Sequence, residues 1–181
     1  MKTLVIHPQD SSTDFLRDIY RHLNDVTLIT KNISQGTLHD MIGSHDQIVM
    51  LGHGSPSGLF NVARVGDNGF TIGRLEVPLL KNKQCIFIWC HADQFVRHHK
   101  LKGLSSGMFI SEELEAVYCG VDGSPEQVRH SNKTFAEALG AALVKTELYD
   151  QVFESVTREY EILAPENKIV QYNLERWQLI G

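Results

Sequence analysis

A histidine between two glycines, Gly52-His53-Gly54, closes the apolar run Ile48-Val49-Met50-Leu51, and Cys90 closes a second apolar run, Cys85-Ile86-Phe87-Ile88-Trp89. These residue types suit nucleophilic catalysis. A thiol is a poor nucleophile while protonated. An imidazole within reach takes its proton or stabilises the thiolate, and later protonates a leaving amine. The tetrahedral intermediate of such a reaction carries an oxyanion that needs backbone N–H donors. Gly54 suits that role because no side chain blocks the approach, and the Cys90 amide is a second candidate donor. His53 is thus the candidate base and acid, Cys90 the candidate nucleophile and Gly54 the candidate oxyanion donor.

The pair meets only if the two runs are neighbouring parallel strands, so the elements that position them matter. Leu4–His7, Val26–Thr30, Gln47–Leu51, Cys85–Trp89 and Gly107–Ser111 read as strands. Phe15, Leu16, Ile19, Tyr20 and Leu23 recur at helical spacing after the N-cap candidates Ser11-Ser12-Thr13. Thr37–Ile42 and Glu112–Cys119 read as short helices. A longer helix starts near Pro125 and carries Phe135, Leu139, Ala142 and Leu143. Another, over 147–163, places Leu148, Val152, Val156 and Leu163 on one stripe. Ile169–Trp177 reads as a last strand or extended tail. The Asp67-Asn68-Gly69 turn signal predicts a hairpin excursion within 58–80.

Strands this continuously apolar are buried on both faces, which predicts a three-layer α/β/α sandwich around a mainly parallel sheet. In open α/β sheets ligands bind beyond the carboxyl ends of the strands, where His53 and Cys90 both fall. The 181 residues suit one domain over 1–181, with a core over 1–145 and a C-terminal helix and strand over 146–181.

Hydrophobic content of 42% and charged content of 22% are ordinary for a globular chain, and the net charge of −5 argues against a nucleic-acid or anionic-membrane binder. The run Met1–Ile6 is too short for a signal peptide, and no segment approaches the ~20 apolar residues of a membrane span. Cytoplasm is the expected compartment. Three cysteines without a CxxC pair argue against disulfides or a zinc ribbon. Cys85 and Cys119 read as packing.

A strand ending in His53-Gly54, followed by a strand ending in Cys90, resembles the caspase-like cysteine peptidases, the group of caspases, gingipains, clostripain, legumain and separase. Histidine precedes cysteine, as in that family, and Ile86-Phe87-Ile88-Trp89 supplies the hydrophobic strand before the nucleophile. Caspases proper carry Gln-Ala-Cys-(Arg/Gln/Gly)-Gly, where this chain has Ile88-Trp89-Cys90-His91-Ala92-Asp93. The resemblance is therefore to a compact, divergent bacterial-type member. It implies a caspase-like domain, hydrolysis of a peptide bond without cofactor, and a peptide or protein substrate. It also implies a pocket beside the cysteine for the residue before the cut. There Asp93 is the candidate partner of a basic side chain, and Ser111 a second candidate lining residue.

Other readings stand beside this one. His53 also fits a plain turn residue in a Gly-rich cluster, and Cys90 an inert buried thiol. Cys90, His91, Asp93, His98 and His99 fit no standard zinc spacing, so no metal is expected. Arg97–Lys102 is basic but short and without interleaved aromatics, which reads as a solvated face. Gly54-Ser55-Pro56-Ser57-Gly58 has proline where a nucleophile elbow has serine. No Gly-rich phosphate loop follows the first strand. The non-enzyme alternative is an inactive caspase-like scaffold or signalling domain, with residues 125–163 offering a face to a protein partner.

Overall fold

The computed structural model describes residues 1–62 and 69–181. Strand β1 (Thr3–Ile6) leads through a 3-10 segment (Ser11–Ile19) to β2 (Val26–Ile29), α1 (Gln35–Ser44) and β3 (Gln47–Leu51). Three short strands follow, β4 (Gly54–Ser55), β5 (Gly58–Phe60) and β6 (Phe70–Ile72). The chain then runs through α2 (Val77–Leu80), β7 (Gln84–Ile88), α3 (Ala92–His98) and β8 (Gly103–Ser106). It ends with α4 (Glu113–Tyr118), α5 (Pro125–Lys145), α6 (Tyr149–Leu163), α7 (Lys168–Leu174) and β9 (Trp177–Ile180).

The main sheet has the order β2-β1-β3-β7-β8-β9. Its pairs are parallel except β8–β9, which is antiparallel. Side chains alternate between faces along a strand, and here each set enters a separate core. Val5, Val49, Leu51, Ile86, Ile88 and Leu104 pack with the 3-10 segment, α5 and α6. Leu4, Ile6, Ile48, Met50, Cys85 and Phe87 pack with α1, α2 and α3. The fold is thus mixed α/β, with a mostly parallel sheet covered by helices on both faces. Cys85 is buried in the second core, as its packing role required.

The predicted excursion is an antiparallel sheet, β4-β5-β6, with Leu59 opposite Ile72. Asp67 and Asn68 of its expected turn lie outside the described residues.

Four local expectations are corrected. The strand expected at Gly107–Ser111 lies earlier, at Gly103–Ser106. Serines are unusual in a buried central strand. The Ser106 hydroxyl, however, donates to Trp89 O (2.9 Å) and accepts from Trp89 N (3.1 Å), so it is buried with its hydrogen bonds met. Ile169–Trp177 is mostly helix α7, because the Asn167 side chain accepts from Ile169 N and Val170 N and caps it. The last strand starts only at Trp177, and the segment after 145 thereby supplies a sixth strand to the core sheet. Asp10, not Ser11–Thr13, caps the first helical segment. Leu148 precedes α6 and is 57% exposed, while Val152, Val156 and Tyr160 form the buried stripe. The apolar stripes of α5 and α6 face the first core, so only their outer surfaces are open to another protein.

Candidate active site

Strands β3 and β7 are adjacent and parallel, and their register pairs Leu51 with Ile88. His53 and Cys90 are each two residues beyond that rung. Leu51 and Ile88 both face the first core, and with period-two alternation the next side chains on that face are His53 and Cys90. Gly52 bridges the step with φ of +139°, a conformation open to glycine, and its N–H continues the ladder to Ile88 O at 3.0 Å. Both side chains line a cavity of about 30 Å³, walled by Leu16, Ser106, Phe109, Ser111, Asn132 and Phe135 among others. That is space for about one or two waters, not for a peptide.

His53 is 26% exposed and reaches out of this cavity as well. Its Nε2 lies 2.7 Å from Ser12 Oγ and 3.9 Å from Asp10 Oδ2. On that side it borders a second, roomier cavity of about 200 Å³ with Pro8, Gln9, Asp10 and Phe60.

Cys90 leaves β7 at a sharp turn. Ser106 grips the backbone of Trp89 before it, and His91 after it has the left-handed values φ 67°, ψ 27°. The His91 N–H donates to Gly107 O at 3.1 Å. The thiol faces Phe109 O at 3.9 Å and Glu115 Oε1 at 3.8 Å. Among the described residues it makes no hydrogen bond to His53. Burial, reinforced by the Glu115 carboxylate, pushes its pKa up to about 12. The resting sulfur is therefore a protonated thiol.

Glu115 also organises the wall. Its Oε2 accepts from Ser111 N (2.7 Å), Ser111 Oγ (3.0 Å) and Glu112 N (3.1 Å). Two asparagines staple the same segment. Asn132 Nδ2 donates to Ser111 O at 2.8 Å, and buried Asn173 both accepts from Ile110 N and donates to Ile110 O. Ser111 thus lines the same cavity as His53 and Cys90.

Gly54 lies in β4, and its lack of a side chain has a packing cause. A Cβ there would fall inside the Trp89 indole and against Gly58 O. The indole Nε1 donates to Ser55 O at 3.0 Å, tying the small sheet to the end of β7. Asp93 is not brought to the cavity wall. It sits in the first turn of α3, and its Oδ1 is buried with no hydrogen-bond partner among the described residues. Cys119 caps the C-terminal end of α4, packed against a small buried cluster of Ile110, Ala116, Val128 and Ile169.

Sequence reasoning missed Asp10, Ser12, Ser106 and Glu115. Asp10-x-Ser12 carries an N-cap signature, and Glu115 stands at the N3 position of a capping box whose N-cap is Glu112. Neither says that the capped end abuts a strand terminus. Among the described residues no group of three or more His, Cys, Asp or Glu is placed to hold a metal ion. No helix among them is long and apolar enough to cross a membrane.

Comparison with known proteins finds no matching family model, no matching curated protein and no matching solved structure.

Proposed function

We propose that the chain is a cysteine peptidase of the caspase-like kind, resting in a closed form. One observation carries this reading: His53 and Cys90 stand past the same rung of adjacent parallel strands and wall one cavity. In the proposed reaction Cys90 Sγ attacks the carbonyl carbon of a peptide bond while His53 takes the thiol proton. His53 then gives that proton to the leaving amine, and water hydrolyses the thioester. A protonated resting thiol requires proton removal as the new bond forms, which gives His53 the work of a base rather than of a counter-ion. Gly54 N–H and Cys90 N–H are the oxyanion donors in this scheme.

The 30 Å³ cavity sets a condition. Peptide access requires the wall formed by residues 107–112 to move, and Glu115 is the group that ties this wall to the thiol. The same closure and the protonated thiol favour the second reading, a caspase-like scaffold without activity.

Digestion of a mixed peptide library, read by mass spectrometry of new termini, separates the two. A peptidase yields new termini with the wild type or with Glu115→Gln, and none with Cys90→Ala or His53→Ala. Cleavage that survives Cys90→Ala contradicts the proposal. Absence of cleavage by both wild type and Glu115→Gln favours the scaffold.

A further inference from the structure

We propose that Asp10 and Ser12 form a hydroxyl relay that holds His53 as the Nε2–H tautomer and leaves Nδ1 as its basic nitrogen. The two are then positioning residues for the cysteine chemistry proposed above, and in that role the inference rests on that reading.

The argument is a count of protons. Asp10 Oδ1 accepts from both Ser12 N–H (2.9 Å) and Ser12 Oγ–H (2.7 Å). A serine hydroxyl has one proton. With that proton directed at Asp10, Ser12 Oγ meets His53 Nε2 at 2.7 Å only as an acceptor. Nε2 therefore carries the hydrogen, and the neutral ring keeps its lone pair on Nδ1. Which nitrogen of a histidine is protonated is set by the hydrogen bond the other makes. Asp10 Oδ2, 3.9 Å from Nε2, adds a negative charge on the side where an imidazolium would need it.

The relay stands in a fixed frame. Thr13 N and Thr13 Oγ1 both donate to Asp10 O, at 3.2 and 3.1 Å. Thr13 Oγ1 is also 3.1 Å from Nε2 of buried His7, just past β1. Gln9 N donates to Thr30 O at 2.9 Å beyond β2. The loop that presents Asp10 and Ser12 is thus anchored to the ends of β1 and β2. An ordinary N-cap needs only the Ser12 N–H. The hydroxyl bridge to His53 is additional to capping, and this separates the relay from a purely structural role.

The test is NMR of protein labelled with ¹⁵N at histidine, with His53→Gln used to assign the His53 signals. The relay predicts an Nε2–H tautomer whose ring proton is protected from exchange with water. Ser12→Ala, which keeps the capping N–H, removes that protection, and Ser12→Thr restores it. Capture of Cys90 by peptidyl ketones then slows about tenfold or more in Ser12→Ala, as expected when the histidine is no longer held in one tautomer. An Nδ1–H tautomer in the wild type overturns the proposal, as does a protected Nε2–H that survives Ser12→Ala. Lost protection with unchanged capture overturns the positioning role. Repeating the spectra on Cys90→Ala isolates the relay from the peptidase reading. If the relay is present but His53→Ala leaves Cys90 capture unchanged, the peptidase reading alone fails.

Discussion

His53 and Cys90 stand two residues beyond one rung of the sheet, the Leu51–Ile88 pair of strands β3 and β7. Parallel register alone brings them to one cavity wall, while their hydrogen bonds run in opposite directions. His53 turns to Ser12, and Cys90 turns to Phe109 and Glu115. The 107–112 segment, stapled by Asn132, Asn173 and Glu115, packs beside the thiol, whose pKa burial and the Glu115 carboxylate raise.

Glu115→Gln should make Cys90 more reactive. Burial is the larger cause of its raised pKa and the Glu115 charge the next, so removing the charge lowers the pKa. Each unit of fall raises the thiolate fraction about tenfold. Iodoacetamide kinetics at pH 8, read by peptide mass spectrometry, should show faster Cys90 alkylation and unchanged Cys85. Equal Cys90 rates in both proteins would show that the carboxylate does not govern the thiol.

Asn173→Ala should destabilise the protein by about 2–4 kcal/mol, because it leaves the buried backbone N–H and C=O of Ile110 without their side-chain partner. Urea unfolding measures this, and hydrogen exchange at residues 107–112 should quicken alongside. A loss under ~0.5 kcal/mol, within the range of ordinary surface substitutions, would mean that the staple is replaceable.

His7 gives a pH signature. It is 3% exposed, and burial, assisted by Arg17, lowers its pKa from 6.5 to about 4. A depressed base stabilises the fold above the unfolded value of 6.5, and this contribution is lost as pH falls towards 4. Relative to His7→Gln, the wild type should lose about 3 kcal/mol between pH 7 and pH 4. Urea midpoints at unit pH steps would show it, and parallel curves would contradict it. Because His7 meets Thr13, the same acid transition should loosen the loop that holds Ser12 to His53.

Much of this was legible in the residues, and the exceptions have physical causes. Apolar runs such as Gln47–Leu51 and Gln84–Ile88 declare themselves because both of their faces are buried. The strand-end positions of His53 and Cys90 followed from those runs. Gly103–Ser106 stayed hidden because Ser106 meets its hydrogen bonds on a neighbouring strand end, a tertiary fact that local pattern does not carry. Helix α7 was misread because its signal is one capping asparagine before a β-branched pair, Ile169-Val170. Asp10 and Glu115 are ordinary capping residues in sequence and Ser12 a first-turn serine, and all three come to the candidate site only through what the sheet places beside them.

Gly54→Ala should cost about 1–3 kcal/mol through overpacking against the Trp89 indole. In Trp89→Leu, which removes the indole, the added methyl should cost less. A thermodynamic cycle of the two substitutions measures the coupling. Strict additivity would place the cause of the glycine elsewhere.

The central claim is that His53 activates Cys90, and the most direct measurement is covalent capture. A panel of peptidyl acyloxymethyl ketones is reacted with wild type, Glu115→Gln, and each of these carrying His53→Ala, and the modified residue is read by mass spectrometry. The prediction is that Cys90 is modified while Cys85 and Cys119 are not, and that His53→Ala slows capture about 10²–10⁴-fold, the usual worth of a positioned general base. Capture of Cys90 at the same rate without His53, or no capture of Cys90 in any of the four proteins, would contradict it.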